Sequence, residues 1–216
     1  MSLPRRSATF KVRIRGEWAC FTRPEPREER ISYDVMTPSA ARGVLEAILW
    51  KPALQWRVER IHILAPIRLQ SFKRANLSEN LKLSGAIGRF LSDEKREPRD
   101  TLLLRDVDYV VEASFALTAE AGPDDDLKKF EETFLHRLAR GECFHNPFLG
   151  FREFDARVEP APLDWTVPEE LRGRRELGLM LLDIRFQDRY GKKPVTPLFF
   201  HAIMENGVIE VPEAPR

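Results

Sequence analysis

The sequence predicts an α+β fold in which two helices pack on one face of a mainly antiparallel sheet. Three observations carry this reading. Short apolar–polar alternations recur along the chain, as strands with one buried face require. Two stretches, ending near Pro52 and Gly141, instead space their apolar residues by three and four. The order through residue 157 is strand, helix, strand, strand, helix, strand, and the last third adds strands without a helix.

Ala8–Gly16 alternates cleanly: Phe10, Val12 and Ile14 point one way and Lys11, Arg13 and Arg15 the other, giving a strand with a cationic open face. Trp18–Glu25 reads as an irregular loop. In Ser32–Pro52, Thr37 is placed to cap a helix and Pro38 suits its first position. Ala41, Val44, Leu45 and Ile48 form the buried stripe, and Pro52 ends the helix. Leu54–Leu69 is strand-like, with a phase slip at Glu59–Arg60 that predicts a bulge and Pro66 at its end. Ser71–Asp100 shows no sustained period and reads as a long loop, with a short helical turn near Ala86–Leu91.

Val107–Leu117 alternates again. The aspartates of Gly122–Asp126 suit a helix start. Leu127, Phe130, Phe134, Leu135 and Leu138 mark the second helix, closed by Gly141. Its other face carries Lys129, Thr133, His136 and Arg140. Cys143–Phe154 leads into a further strand. Leu177–Phe186 and Leu198–Val211 are later strands, the second folding over at Asn206-Gly207.

This βαββαβ order is the ferredoxin-like or RRM-like pattern, whose open sheet face is a common RNA platform. The expected division is an RRM-like domain over 1–157, containing the long loop 71–100, and a C-terminal β-rich extension over 158–216. Formal net charge is +1, so global charge does not suggest a nucleic-acid partner, but arginines and lysines crowd the N-terminus and the segment after the first helix. Two cysteines, Cys20 and Cys143, set neither a disulfide framework nor a metal site. None of the four histidines has metal-ligand spacing, and no phosphate-binding glycine loop or nucleophile elbow is present. No cofactor and no metal are therefore expected. No apolar run is long enough for a bilayer and no signal peptide is recognised, so a cytoplasmic protein without a membrane partner is expected.

Eight blocks, in order along nearly the whole chain, resemble one family. They are WACFTRPE (Trp18–Glu25), ISYDVMTPSAARGVLEAI (Ile31–Ile48), WKPA (Trp50–Ala53), RIHILAPIR (Arg60–Arg68), LLRDVDYVVEASF (Leu103–Phe115), PFLGFREF (Pro147–Phe154), LGLMLLDI (Leu177–Ile184) and TPLFFHAIMENGVI (Thr196–Ile209). The chain resembles the CRISPR-associated Cas family 5 proteins of subtype I-C, the d-type, within the RAMP superfamily. That resemblance implies an RRM-like domain with a C-terminal β extension. It also implies a metal-independent endoribonuclease that cuts precursor crRNA at the base of the repeat hairpin, using the RNA 2′-hydroxyl as nucleophile. The protein then stays on the 5′ handle as a Cascade subunit beside the backbone and large subunits. A general base, a general acid and a cation for the phosphorane charge are called for.

Carried over position by position, the family's Tyr or His before WKP falls on Leu49, and its Lys-His pair on Lys129 and Phe130. Leucine and phenylalanine cannot move a proton. His136, seven residues beyond Lys129 and on the same helix face, forms with it a candidate relocated pair. Lys11, Arg13, Arg15, Arg68, Lys73 and Arg74 are expected phosphate contacts. Phe21, Phe144 and His145 are candidate base contacts, while Trp50 is assigned to the core. The alternative reading is a non-catalytic cap that binds the 5′ handle. Nonspecific double-stranded DNA binding is left open, since phosphate contacts do not separate the two polymers.

Overall fold

The computed structural model describes residues 6–25, 30–77, 96–186 and 195–214, with side chains for all of these except 73–77, 96–100, 185, 186 and 195. Nine strands and two helices are seen: β1 Phe10–Ala19, β2 Arg30–Ile31, α1 Pro38–Ile48, β3 Leu54–Ile63, β4 Leu69–Leu77, β5 Arg96–Leu117, α2 Leu127–Arg140, β6 Arg157–Pro160, β7 Arg174–Phe186, β8 Val195–Glu205 and β9 Val208–Glu210. The strands join in one sheet, ordered β6-β1-β5-β3-β9-β8-β7, with β2 and β4 pairing the far end of β5. The architecture is α+β with a large, mainly antiparallel sheet and few helices.

The alternations set the core. Phe10, Val12 and Ile14 of β1, Trp56, Val58, Ile61 and Ile63 of β3 and Tyr109–Phe115 at odd positions of β5 share one buried face. Both helices lay their apolar stripes on it. Leu45 and Ile48 of α1 and Phe134 and Leu138 of α2 are buried there, and the Phe134 ring lies 4.8 Å from both Phe10 and Trp56. The slip between Glu59 and Arg60 is a bulge: the β3–β5 register shifts between Val58 and Arg60. Asn206 and Gly207, both at positive φ, turn β8 into β9, and β9 pairs with β3. The C-terminal strands thus extend the first sheet.

Two expectations are corrected. Trp18 and Ala19 continue β1, because their partners Arg105 and Leu104 extend the ladder beyond the alternating stretch. Within 71–100, residues 71–77 and 96–100 belong to a hairpin, Leu69↔Leu104 through Leu77↔Arg96. Beyond Thr101, among the described residues, the ribbon pairs β4 with β5 alone, a long-range pairing that the local sequence does not announce. The helical turn expected near Ala86–Leu91 lies outside the described residues. No helix among the described residues is long and apolar enough to cross a membrane.

Helix α1 ends one residue into an extended conformation, and its last carbonyls need partners. Ala47 O accepts from the Phe144 and His145 backbone N–H groups (2.7 and 3.4 Å), Ile48 O from Arg137 Nη1 (2.8 Å), and Leu49 O from Trp56 Nε1 (2.9 Å). A Trp56→Phe substitution leaves the Leu49 carbonyl buried and unpaired. It is expected to cost about 1–3 kcal/mol, a melting-temperature loss of roughly 2–12 °C, read by thermal denaturation.

Candidate nucleic-acid interface

The capped end of α1 fixes the backbone of Trp50 and Lys51. Leu49 N–H still bonds to Leu45 O, and Lys51 O accepts from Leu54 N–H across Pro52. The two side chains are nevertheless free: Trp50 is 51% exposed and Lys51 is exposed. Leu49 and Phe130, 1% and 3% exposed, form the apolar floor beside them, and Lys51 Nζ sits 5.5 Å from the centre of the Phe130 ring. That cation–π contact places the Lys51 ammonium against an aromatic ring instead of a counter-ion. Lys129, next to Phe130 on α2, is exposed, and its carbonyl accepts from Thr133 Oγ1. Neither Lys51, Lys129 nor His136 has an ion-pair partner among the described residues. Phe144, anchored by its backbone to Ala47, is 79% exposed.

The β1 cations are different. Arg13 makes a two-pronged pair with Asp108 (Nε–Oδ1 3.0 Å, Nη2–Oδ2 2.6 Å), and the bond to Asp108 raises its guanidinium pKa. Arg15 pairs with Glu159. Lys11 Nζ lies 3.9 Å from Glu112 and 5.3 Å from the Trp165 ring centre. His62 Nε2 is 3.0 Å from Glu112, and the Trp165 ring packs edge-on against His62 at 5.1 Å. The sheet face expected to be open and cationic is therefore partly covered by the segment around Trp165, and its cations pair with β5 and β6 carboxylates, while Lys11 stays exposed. The period-two pattern assigned each side chain to a face; it carried nothing about which acids pair across the ladder.

The remaining expected residues divide. Lys129 and His136 are exposed on the same face of α2, about 10 Å apart along its axis from a rise of 1.5 Å per residue. Phe144 and His145 are exposed, their rings 6.2 Å apart. Arg68 is exposed and lies 3.6 Å from Asp106. Lys73 and Arg74 fall in β4, but their side chains lie outside the described residues. Phe21 is 4% exposed and packs on Tyr109, so it is a core ring and not a stacking platform. Trp50, assigned to the core, is the reverse correction. The signal was available, since position 50 falls off the Ala41–Val44–Leu45–Ile48 stripe. Among the described residues no group of three His, Cys, Asp or Glu side chains could hold a metal ion.

Beside this surface runs a groove of about 850 Å³, between α1 and the segment 145–152, floored by Tyr33 and Cys20. Gly150 fixes its far wall: at φ +88°, a Cβ there would lie 1.9 Å from the Cys20 carbonyl oxygen. Glu46 lines the groove. Burial pushes its carboxyl pKa up, and Asp183 adds to this while Arg42 opposes it.

The sequence profile of the CRISPR-associated protein (Cas_Cas5) family matches residues 9–212. A "CRISPR pre-crRNA endoribonuclease Cas5d" from Mannheimia succiniciproducens is 43% identical over 220 residues, covering 94% of each chain. One with the same description from Thermus thermophilus is 41% identical over 219 residues, covering 95% of this chain and 92% of that one. A crystal structure of a CRISPR-associated protein superposes with a TM-score of 0.72 at 23% identity, over 98% of this chain and 95% of that one, which speaks for the fold.

Glu46 makes the groove's burial measurable. A carboxyl whose pKa is higher folded than unfolded costs nothing below the unfolded value, near 4.5, and destabilises as pH rises through and above it. Glu46→Gln is therefore expected to melt above wild type at pH 7 and together with it at about pH 3.5.

Proposed function

The chain belongs to the Cas5d family of CRISPR-associated proteins, and from that premise we propose that it is an endoribonuclease of precursor crRNA. It binds the repeat hairpin, cuts at its base without a metal, and stays on the 5′ handle as a subunit of the subtype I-C complex, in contact with the backbone and large subunits. One observation supports the placement of the active surface. Lys51 and Lys129 stand without ion-pair partners among the described residues around a buried apolar floor, whereas the β1 cations are neutralised.

The chemistry needs the 2′-oxygen to attack the adjacent phosphorus while the bond from phosphorus to the 5′-oxygen breaks. A proton leaves the 2′-hydroxyl and another reaches the departing 5′-oxygen. The charge that builds on the phosphorane oxygens is met by the Lys51 and Lys129 ammonium groups. His136 serves proton transfer from the same face of α2. Trp50 and Phe144 offer exposed rings to unpaired bases, and Arg68, Lys73 and Arg74 add phosphate contacts further along. Double-stranded DNA is bound weakly through the same cations, which do not read the 2′-hydroxyl. The strand order β6-β1-β5-β3, with both helices on one face, supports reading the first part of the chain as a ferredoxin-like or RRM-like domain whose fourth strand, β6, ends at Pro160, three residues past the expected boundary at 157, followed by a β extension.

A second reading, a non-cutting cap on the handle, is favoured by Leu49 and Phe130, which put apolar, buried side chains where the family's proton-transfer groups stand. Incubation with repeat RNA in EDTA separates the two. A single cut at the hairpin base is expected, slowed about 100-fold or more by Lys51→Ala or Lys129→Ala and within roughly twofold of wild type for Lys11→Ala. Tight binding of RNA that stays intact establishes the cap instead, and equal affinity for unrelated hairpins removes both.

A further inference from the structure

Strand β5 changes partner partway along its length. From Tyr109 to Leu117 it pairs with β3 and from Arg96 to Leu104 with β4, while β1 runs along its other edge across the changeover. The changeover falls at Asp106. On one side of it Leu64 N–H bonds to Asp108 O (2.8 Å), and on the other Arg105 N–H bonds to Arg68 O (3.0 Å). The β1–β5 register is the same on both sides, Gly16↔Val107 and Trp18↔Arg105, so no residue is inserted there. Asp106 nevertheless has φ +52°, in the left-handed region that is unfavourable for any residue with a Cβ. Asn206, the other non-glycine residue with positive φ among the described residues, sits in a hairpin turn, whereas Asp106 lies within a strand.

The side chains around this kink converge on the root of the β4–β5 ribbon. The Asp106 carboxylate lies 3.6 Å from Arg68 Nη1 and 3.5 Å from Arg105 Nε. Arg68 immediately precedes β4, and Arg105 stands on the ribbon side of the kink in β5. Arg105 also donates from Nη1 to Gln70 Oε1 of β4 (3.4 Å) and lies 5.3 Å from the ring centre of Trp18 in β1. The Trp18 ring in turn packs edge-on against Phe72 of β4 at 5.0 Å. One carboxylate thus stands between the two roots of the ribbon at the residue where the backbone turns. A direction set here is carried outward. Over the nine residues of β4, about 30 Å of strand, a change of about 20° at the root moves the far end by about 10 Å and Lys73 by about 5 Å, enough to break a phosphate contact.

We propose that Asp106 is a positioning residue for RNA: its left-handed backbone sets the direction in which the β4–β5 ribbon leaves the sheet, its carboxylate between Arg68 and Arg105 fixes that direction, and Lys73 and Arg74 of β4 thereby reach the phosphates. The proposal rests on the RNA-binding function above. It also reverses a sign. An aspartate near cations that meet phosphates opposes binding by its charge, so its removal strengthens binding if charge is its only role. A positioning role makes its removal weaken binding instead.

The test combines a distance with an affinity, both on the full-length protein. Nitroxide labels are placed on Cys143, which is exposed, and on a cysteine introduced by Asn76→Cys in β4, since Cys20 is buried. Their separation is read by pulsed electron paramagnetic resonance, and repeat-RNA binding is titrated in EDTA with unlabelled protein. Asp106→Gly frees φ and removes the carboxylate. It is expected to broaden the distance distribution, to melt no lower than wild type, and to weaken RNA binding about fivefold or more, with the slope of log affinity against log salt falling by roughly one to two. A misfolded variant does not combine these effects. Asp106→Asn tolerates the left-handed region and keeps an oxygen between the arginines, so it is expected to rescue both the narrow distribution and most of the affinity. In a Lys73→Ala with Arg74→Ala background, Asp106→Gly is expected to add no further loss, because it acts through those side chains. If wild type does not bind the RNA, the RNA-binding reading fails and takes the proposal with it. With wild-type binding intact, an unchanged distance distribution in Asp106→Gly, a gain in affinity, or an additive loss in the Lys73→Ala with Arg74→Ala background overturns the proposal alone.

Discussion

The end of α1 is the constraint on which the rest depends. A helix followed at once by an extended residue, Leu49, and then by Pro52 leaves carbonyl groups that cannot bond within the helix. Here the donors come from three directions: Arg137 of α2, the Trp56 indole of β3, and the backbone of Phe144 and His145. Satisfying three carbonyls thus ties α1 to the second helix, to the sheet and to the loop that follows α2. The same bonds fix the backbone of Trp50 and Lys51 while leaving both side chains outside. A rigid peptide with exposed side chains suits a surface that must position a flexible polymer, because little order remains to be imposed on binding.

Charge pairing then decides which cations stay available at the surface. The protein carries 35 lysines and arginines against 34 acids, so any cationic site is made by local separation of charge. On the β1 face the antiparallel ladder sets Arg13 near Asp108 and Arg15 near Glu159, and the pairs neutralise one another. At the α1–α2 junction the floor is Leu49 and Phe130, which offer no counter-ion. An ammonium held over an aromatic ring keeps its charge available to a phosphate. Leu49 and Phe130 thus give this junction an apolar floor, with the Lys51 ammonium held against it.

Much of the fold was legible in the sequence because period-two and period-3.6 patterns report burial directly. Phe10–Val12–Ile14, the α1 stripe, the bulge at Glu59–Arg60 and the Asn206-Gly207 turn are all local rules, satisfied by residues a few positions apart. The β4–β5 ribbon was not legible, because its pairing joins Leu69–Leu77 to Arg96–Leu104, segments separated by a long stretch of sequence that local patterns do not connect. The candidate site was half legible. Lys129 and His136 are exposed on the helix face the spacing assigned them, Phe144 and His145 are exposed as well, and Leu49 and Phe130 are as buried as their helix faces required. The exposure of Trp50 was legible too, since position 50 falls off the α1 stripe. The neutralisation of Lys11, Arg13 and Arg15 and the burial of Phe21 were decided only by tertiary structure. Each depends on a partner distant in sequence, Asp108, Glu112, Glu159 or Tyr109, which only the paired sheet brings within reach.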